Sequence, residues 1–147
     1  MANYQRILTA VDISDEAIPV VKRAAAMARQ HQAELHLIHV VEPLSLAYGG
    51  DIPMDFSGIQ EELQQQAEET LKKYAGQFDI PDDKIHLLTG RPEAQIHDLC
   101  KELDCDLIIV GSHGRKGLAL LLGSTANAVL HGAKCDVLAV RVSSEHD

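Results

Sequence analysis

The amino-acid sequence predicts an α/β fold, a single-domain, doubly wound, parallel five-stranded sheet of flavodoxin-like or Rossmann-like order 3-2-1-4-5. Three observations predict it. Short apolar runs alternate with amphipathic segments of helical period along the chain. Apolar residues make up 46% of the chain and aromatic residues only 3%, so the core must be Leu, Ile, Val and Ala, as suits helices stacked on a buried parallel sheet. The fourth apolar run ends abruptly in Gly111-Ser-His-Gly114, which reads as a strand opening at its carboxyl end into a loop whose backbone a ligand can approach closely. A chain of 147 residues has the size of one domain, and residues 1–147 are read as one.

Each element follows from local pattern. Arg6-Ile-Leu-Thr-Ala-Val-Asp12 is an apolar run closed by Ser14-Asp15-Glu16, residue types that start helices, and it is read as the first strand. Ile18, Val21, Ala25 and Ala28 recur at three- and four-residue steps and predict a helix over residues 17–31. Glu34-Leu-His-Leu-Ile-His-Val-Val41 is the second strand. Residues 42–58, with Pro43, Gly49, Gly50 and Pro53, have turn chemistry without a period and read as a long crossing loop.

Ile59, Leu63, Ala67, Leu71, Tyr74 and Phe78 mark a second helix, expected to stop near Gly76 and Pro81, with a solvated face rich in Glu and Gln. Lys84-Ile-His-Leu-Leu-Thr-Gly90 is the third strand, and Pro92 suits the first turn of a third helix running to about Leu103. The fourth strand is residues 106–110. A fourth helix of residues 124–131 follows the glycine loop, then the fifth strand, Asp136-Val-Leu-Ala-Val-Arg-Val142, and a polar tail expected to fray.

Charge and composition narrow the function. A formal charge of −9, with no cluster of Lys and Arg, argues against nucleic acid. No apolar run approaches the roughly 20 residues of a membrane helix, and Met1-Ala-Asn-Tyr-Gln-Arg6 lacks an apolar signal core, so a soluble cytoplasmic protein is expected. Cys100, Cys105 and Cys135 are odd in number and lack CxxC spacing, the pattern of reduced thiols acting as small buried hydrophobes. The eight histidines, among them His36 and His97, lack the spacing of a metal site; His39, near the carboxyl end of the second strand, reads as a hydrogen-bonded core residue.

Backbone N–H groups of a Gly-rich turn and of a helix N-terminus direct partial positive charge at one space, so the stretch from Gly111 to Thr125 favours an anion such as phosphate. Walker A is excluded because no Gly-Lys-Ser/Thr occurs, and Gly111-x-x-Gly114-x-x-Gly117 is not the dinucleotide Gly-x-Gly-x-x-Gly. Ile-Leu-Thr-Ala-Val-Asp12, His39-Val-Val, Val110-Gly-Ser-His-Gly114, Leu122-Gly-Ser124 and Val137-Leu-Ala-Val140 together resemble the universal stress protein family over essentially the whole chain. One departure stands out. Eight residues, Arg115 to Leu122, separate Gly114 from Gly123, one fewer than in the Gly-x2-Gly-x9-Gly-Ser/Thr motif of the family's ATP-binding members.

The resemblance implies an ATP site. Ala10, Val11 and Asp12 match the adenosine end, with the Asp12 carboxylate accepting from adenine or ribose; the alternative is that Asp12, with Ser14, merely caps the following helix. Val40 matches the position whose backbone addresses adenine. Val110 and Gly111 match those beside the ribose, and His113, Gly114, Gly123, Ser124 and Thr125 the phosphate-facing positions. Ser124 also suits a helix cap, and His113, like Arg115 and Lys116, is equally a solvated loop residue.

Mg²⁺ would accompany the nucleotide, held mostly by phosphate and water. The resemblance further implies a homodimer paired through the last strand. The chain shows no base, nucleophile or arginine clamp for phosphoryl transfer, so the first expectation is a nucleotide-responsive stress protein and not an enzyme. A stress protein that binds no nucleotide and acts as a dimeric interaction module is the alternative. An adenylating enzyme ranks below both, because His-x-Gly-His and Ser-Gly-Gly phosphate loops are missing.

Overall fold

The computed structural model describes residues 3–44, 57–112 and 124–142. Five strands, β1 (Arg6–Ala10), β2 (Glu34–Val41), β3 (Ile85–Thr89), β4 (Leu107–Gly111) and β5 (Asp136–Val140), form one sheet in the order β3-β2-β1-β4-β5, all neighbours parallel. Among the described residues four helices, α1 (Ala17–His31), α2 (Ser57–Gln77), α3 (Pro92–Leu103) and α4 (Ser124–Gly132), alternate with them, and a 3-10 turn, Asp82–Lys84, leads into β3. The expected order is therefore the observed one.

Alternate residues of the central strands face two cores, as the two-residue period of a strand requires. Ile7, Leu37 and Ile109 pack with Val21, Ala24 and Ala28 of α1 and with Leu71, Tyr74 and Ala75 of α2. Leu8, Ile38 and Ile108 pack on the other side with Ile96 and Leu99 of α3 and Ala126 and Val129 of α4. The small alanines of α1 let that helix lie close on the sheet.

The boundaries differ from expectation for local reasons. β1 stops at Ala10 and not Asp12, because the Asp12 carboxylate accepts hydrogen bonds from Ser14 N (3.2 Å) and Ser14 Oγ (2.7 Å), folding the chain into a turn. Val11 N–H nonetheless continues the ladder to Ile38 O at 2.9 Å. β4 begins at Leu107; just before it Asp106 donates its N–H to Arg6 O (3.0 Å) and accepts on its carboxylate from the backbone N–H groups of Gln5 (3.0 Å) and Arg6 (3.0 Å). β5 ends at Val140; Val142 leaves the sheet and is buried in the α1 and α2 core.

α2 ends at Gln77, between Gly76 and Pro81 as expected, although Gly76 is not its cap. The helix passes through it to Gln77 and ends where Asp79 takes a left-handed conformation (φ 58°) and Ile80 N–H returns to Ala75 O. The apolar stripe of α2 is buried only in its second half; Ile59 and Leu63 are 55% and 38% exposed. The expected crossing loop and the polar tail lie largely or wholly outside the described residues.

Candidate functional site

The strand order reverses between β1 and β4: from β1 the chain crosses to β2 on one side, and β4 enters on the other. That places the carboxyl ends of β1, β2 and β4 side by side, the crevice in which such sheets bind ligands. Ala10 closes β1, Val11 and Asp12 follow it, Val40 lies near the end of β2, and Val110 and Gly111 close β4. The described part of the expected site is thus gathered on three adjacent strand ends. Ser124 and Thr125 open α4 as expected, though their side chains, like His113, Gly114, Gly123, Arg115 and Lys116 entirely, lie outside the described residues.

A cavity of about 220 Å³ opens to one side of this crevice, between the carboxyl end of β2 and α2, lined by Ile13, His39, Val40, Val41, Glu42, Leu63, Gln66 and Ala67; of the expected site residues that are described, it takes in Val40 alone. Pockets enclosing a whole drug-sized ligand run to roughly 300–1,000 Å³, so this one has room for one end of a nucleotide and not all of it. Its walls are aliphatic apart from Glu42, Gln66 and His39. Those are the surroundings a flat, partly apolar base requires.

The turn after β1 is held from three directions. His39 Nδ1 lies 2.7 Å from Val11 O, and since a carbonyl only accepts, Nδ1 carries a proton and donates to it, holding the ring where it lines the cavity. Tyr74 reaches from α2 and donates its hydroxyl to Ser14 O at 2.7 Å. Asp12 closes the turn on Ser14 through Oδ1, and among the described residues its second oxygen meets no donor. Asp12 does not cap α1: that helix starts two residues beyond Asp15, and its first backbone N–H groups go to Ser14 O and Asp15 O. Burial, and then the negative charges of Asp12 and Asp15, push the Tyr74 phenol above its ordinary range.

Sequence reasoning read His39 as a core histidine and Tyr74 only as part of an apolar stripe. His39 is hydrogen-bonded and half-buried as expected, yet it also forms part of the cavity wall. For Tyr74 the available signal was its hydroxyl: a buried phenol on a helix face needs an acceptor, and the nearest loop supplies one.

At Gly111 the backbone comes so close to its neighbours that an added Cβ would stand 3.3 Å from Val20 Cγ2 and 3.4 Å from Val142 Cγ2, so a small residue suits the end of β4. Elsewhere, His36 Nδ1 approaches His86 Nε2 at 3.0 Å while its other nitrogen meets Glu34 at 3.3 Å, and burial, then His36, lowers the His86 pKa. Among the described residues no group of three His, Cys, Asp or Glu side chains is arranged to hold a metal ion, and no helix is long and apolar enough to cross a membrane.

The model of the universal stress protein family matches residues 3–141. The chain belongs to that family. Universal stress protein A homolog 2 of Coxiella burnetii is 43% identical over 146 residues, covering 97% of this chain and 98% of its own length. Among solved structures, universal stress protein UspA from Lactobacillus plantarum superposes with a TM-score of 0.78 at 26% identity, covering 96% of this chain and all of its own. A universal stress protein in complex with cAMP superposes with a TM-score of 0.71 at 23% identity, covering 97% of this chain and all of its own, a likeness of fold.

Proposed function

We propose that this universal stress protein binds ATP, accompanied by Mg²⁺, at the carboxyl ends of β1 and β4, and acts as a nucleotide-responsive dimer without fast turnover. The observation that carries the reading is the gathering of Ala10, Val40 and Gly111 at the carboxyl ends of three adjacent strands where the order reverses, with a cavity walled by Ile13, His39 and Val40 beside them at the end of β2. The adenine base occupies that cavity beside the Val40 backbone. Asp12 accepts from adenine or ribose, and the sugar lies along Ala10, Val11, Val110 and Gly111. The phosphates run toward His113, Gly114, Gly123, Ser124 and Thr125, where the N-terminus of α4 favours an anion. Nucleotide binding in a relative of the same fold, the cAMP complex, supports an adenine ligand. Homodimerisation uses β5, a sheet edge with unpaired backbone groups.

A few charge-assisted hydrogen bonds at about 1.5–3 kcal/mol each, with burial of the base and less the cost of association, give micromolar affinity, near −8 kcal/mol. Equilibrium dialysis of labelled ATP with Mg²⁺ tests this: saturable binding in the micromolar range is expected, weakened at least tenfold by Asp12→Ala. Absence of binding at millimolar nucleotide would leave the alternative of a nucleotide-free interaction module, for which the exposed Ile59 and Leu63 of α2 supply an apolar surface.

A further inference from the structure

The three cysteines, scattered at positions 100, 105 and 135, converge on one point. Two local rules bring them there. α3 ends in a Schellman turn: Asp104 is left-handed (φ 60°), its N–H returns to Lys101 O, and Cys105 N–H returns to Cys100 O at 3.0 Å, folding Cys105 back against Cys100. The turn between α4 and β5 then delivers Cys135, whose Sγ lies 3.7 Å from Cys100 Sγ. Cys100 Sγ is 3.6 Å from Cys105 O, and a carbonyl only accepts, so the Cys100 proton points there and the Cys135 thiol is the donor to the Cys100 sulfur. All three thiols are free; Cys105 is buried, whereas Cys100 and Cys135 are partly exposed.

We propose that Cys100 and Cys135 form a reversible dithiol–disulfide couple, closed by a hydroperoxide, with Cys105 as a spectator. Cys100 attacks, because its thiolate keeps the hydrogen bond donated by Cys135. Its sulfur takes one peroxide oxygen, the O–O bond breaks, and hydroxide leaves and collects a proton as water, giving a sulfenic acid. Cys135 Sγ, losing its proton, attacks that sulfur and displaces the second water. In sum two thiols and one hydrogen peroxide become one disulfide and two waters, two electrons passing from sulfur to peroxide.

The sulfurs must close from 3.7 Å to about 2.05 Å, which side-chain rotation and a small shift of the turn carrying Cys135 provide. Burial and the neighbouring Cys100 sulfur push the Cys135 thiol to about 12, so closure is slow at neutral pH and accelerates in alkali. The link spans the 34 residues between the partners, a segment that contains β4 and all of α4, and ties α3 to the beginning of β5.

The full chain, reduced and then treated with hydrogen peroxide, is alkylated and its mass and peptides read without reductant. The expected result is a monomeric species lighter by two hydrogens, one thiol left for alkylation at Cys105, and a linked pair of peptides carrying Cys100 and Cys135 that dithiothreitol separates. Cys105→Ser should still close, while Cys100→Ser and Cys135→Ser should not. Three alkylated thiols after treatment, a Cys100 to Cys105 link, a link between chains, or sulfinic acid as the end product would overturn the proposal.

Discussion

At the scale of single residues, the turn beyond β1 depends on a hydroxyl from a distant element as well as on its own Asp12 and Ser14. The Tyr74 hydroxyl supports Ser14 O from a buried position, and Tyr74→Phe is expected to cost about 1 kcal/mol, the usual net worth of one such bond. Its pH dependence has a definite sign. The folded phenol titrates above the ordinary value of 10.0, so the folded chain holds that proton longer than the unfolded one, and the contribution is full below pH 10 and lost as pH climbs through the raised folded value. Urea titrations from pH 8 to pH 11 should show the gap between wild type and Tyr74→Phe closing above pH 10; a constant gap would contradict the assigned contact. Thr9 makes the opposite case. It is fully buried in β1 and its hydroxyl has no hydrogen-bond partner among the described residues, so the isosteric Thr9→Val is expected to stabilise by about 1 kcal/mol in the same titration. A residue pattern discloses that a threonine stands in an apolar strand, but not that its neighbours Leu37 and Ile109 offer it no acceptor.

Among the elements, α1, α2 and α3 all end on a non-glycine residue in the left-handed region, Gln32 (φ 55°), Asp79 (φ 58°) and Asp104 (φ 60°), each followed by an N–H that reaches back five residues. Glycine takes that conformation without the penalty of a Cβ, of about 1–2 kcal/mol, and gives back roughly 0.5–1 kcal/mol in unfolded-chain entropy. Gln32→Gly is therefore expected to gain about 0.5 kcal/mol, a rise of one or two degrees in Tm on the scale of a chain this size, readable by calorimetry. The same caps explain what the sequence hid. Stop signals are sought in Gly, Asn and Pro, so Gly76 and Pro81 bracketed the end of α2 at Gln77, while Gln32 and the aspartates that take the left-handed conformation carried no signal. Strand and helix existence was legible because the 2- and 3.6-residue periods are imposed by packing on the sheet, and the bounds of α1, β2 and α3 were legible with them; the ends of β1 and β5 were not, because single local contacts such as Asp12 to Ser14 set such ends.

For the whole molecule, the 3-2-1-4-5 order was legible because alternating elements and a glycine-ended fourth run admit few topologies, and that order alone placed Asp12, Val40 and Gly111 at one end of the sheet. The details of the site were less accessible: His39 and Tyr74 join it from elements 28 and 60 residues away from their partners, a separation no local pattern encodes. The same topology leaves β3 and β5 as edges, and the proposed dimer uses β5. Backbone polar groups of successive strand residues face opposite sides, and Val140 O accepts from Ser112 N at 2.8 Å, so Val140 faces the β4 side and the exposed Ala139 presents its N–H to the open edge. Proline at 139 removes that outward donor and leaves the β4 ladder its partners, which is why proline is tolerated at sheet edges. Ala139→Pro is accordingly expected to convert a dimer into a folded monomer, read as a halving of mass in sedimentation equilibrium with an unchanged circular dichroism spectrum. A variant that remains dimeric would move the contact away from β5, and a wild-type chain that sediments as a monomer at micromolar concentration would remove the pairing altogether.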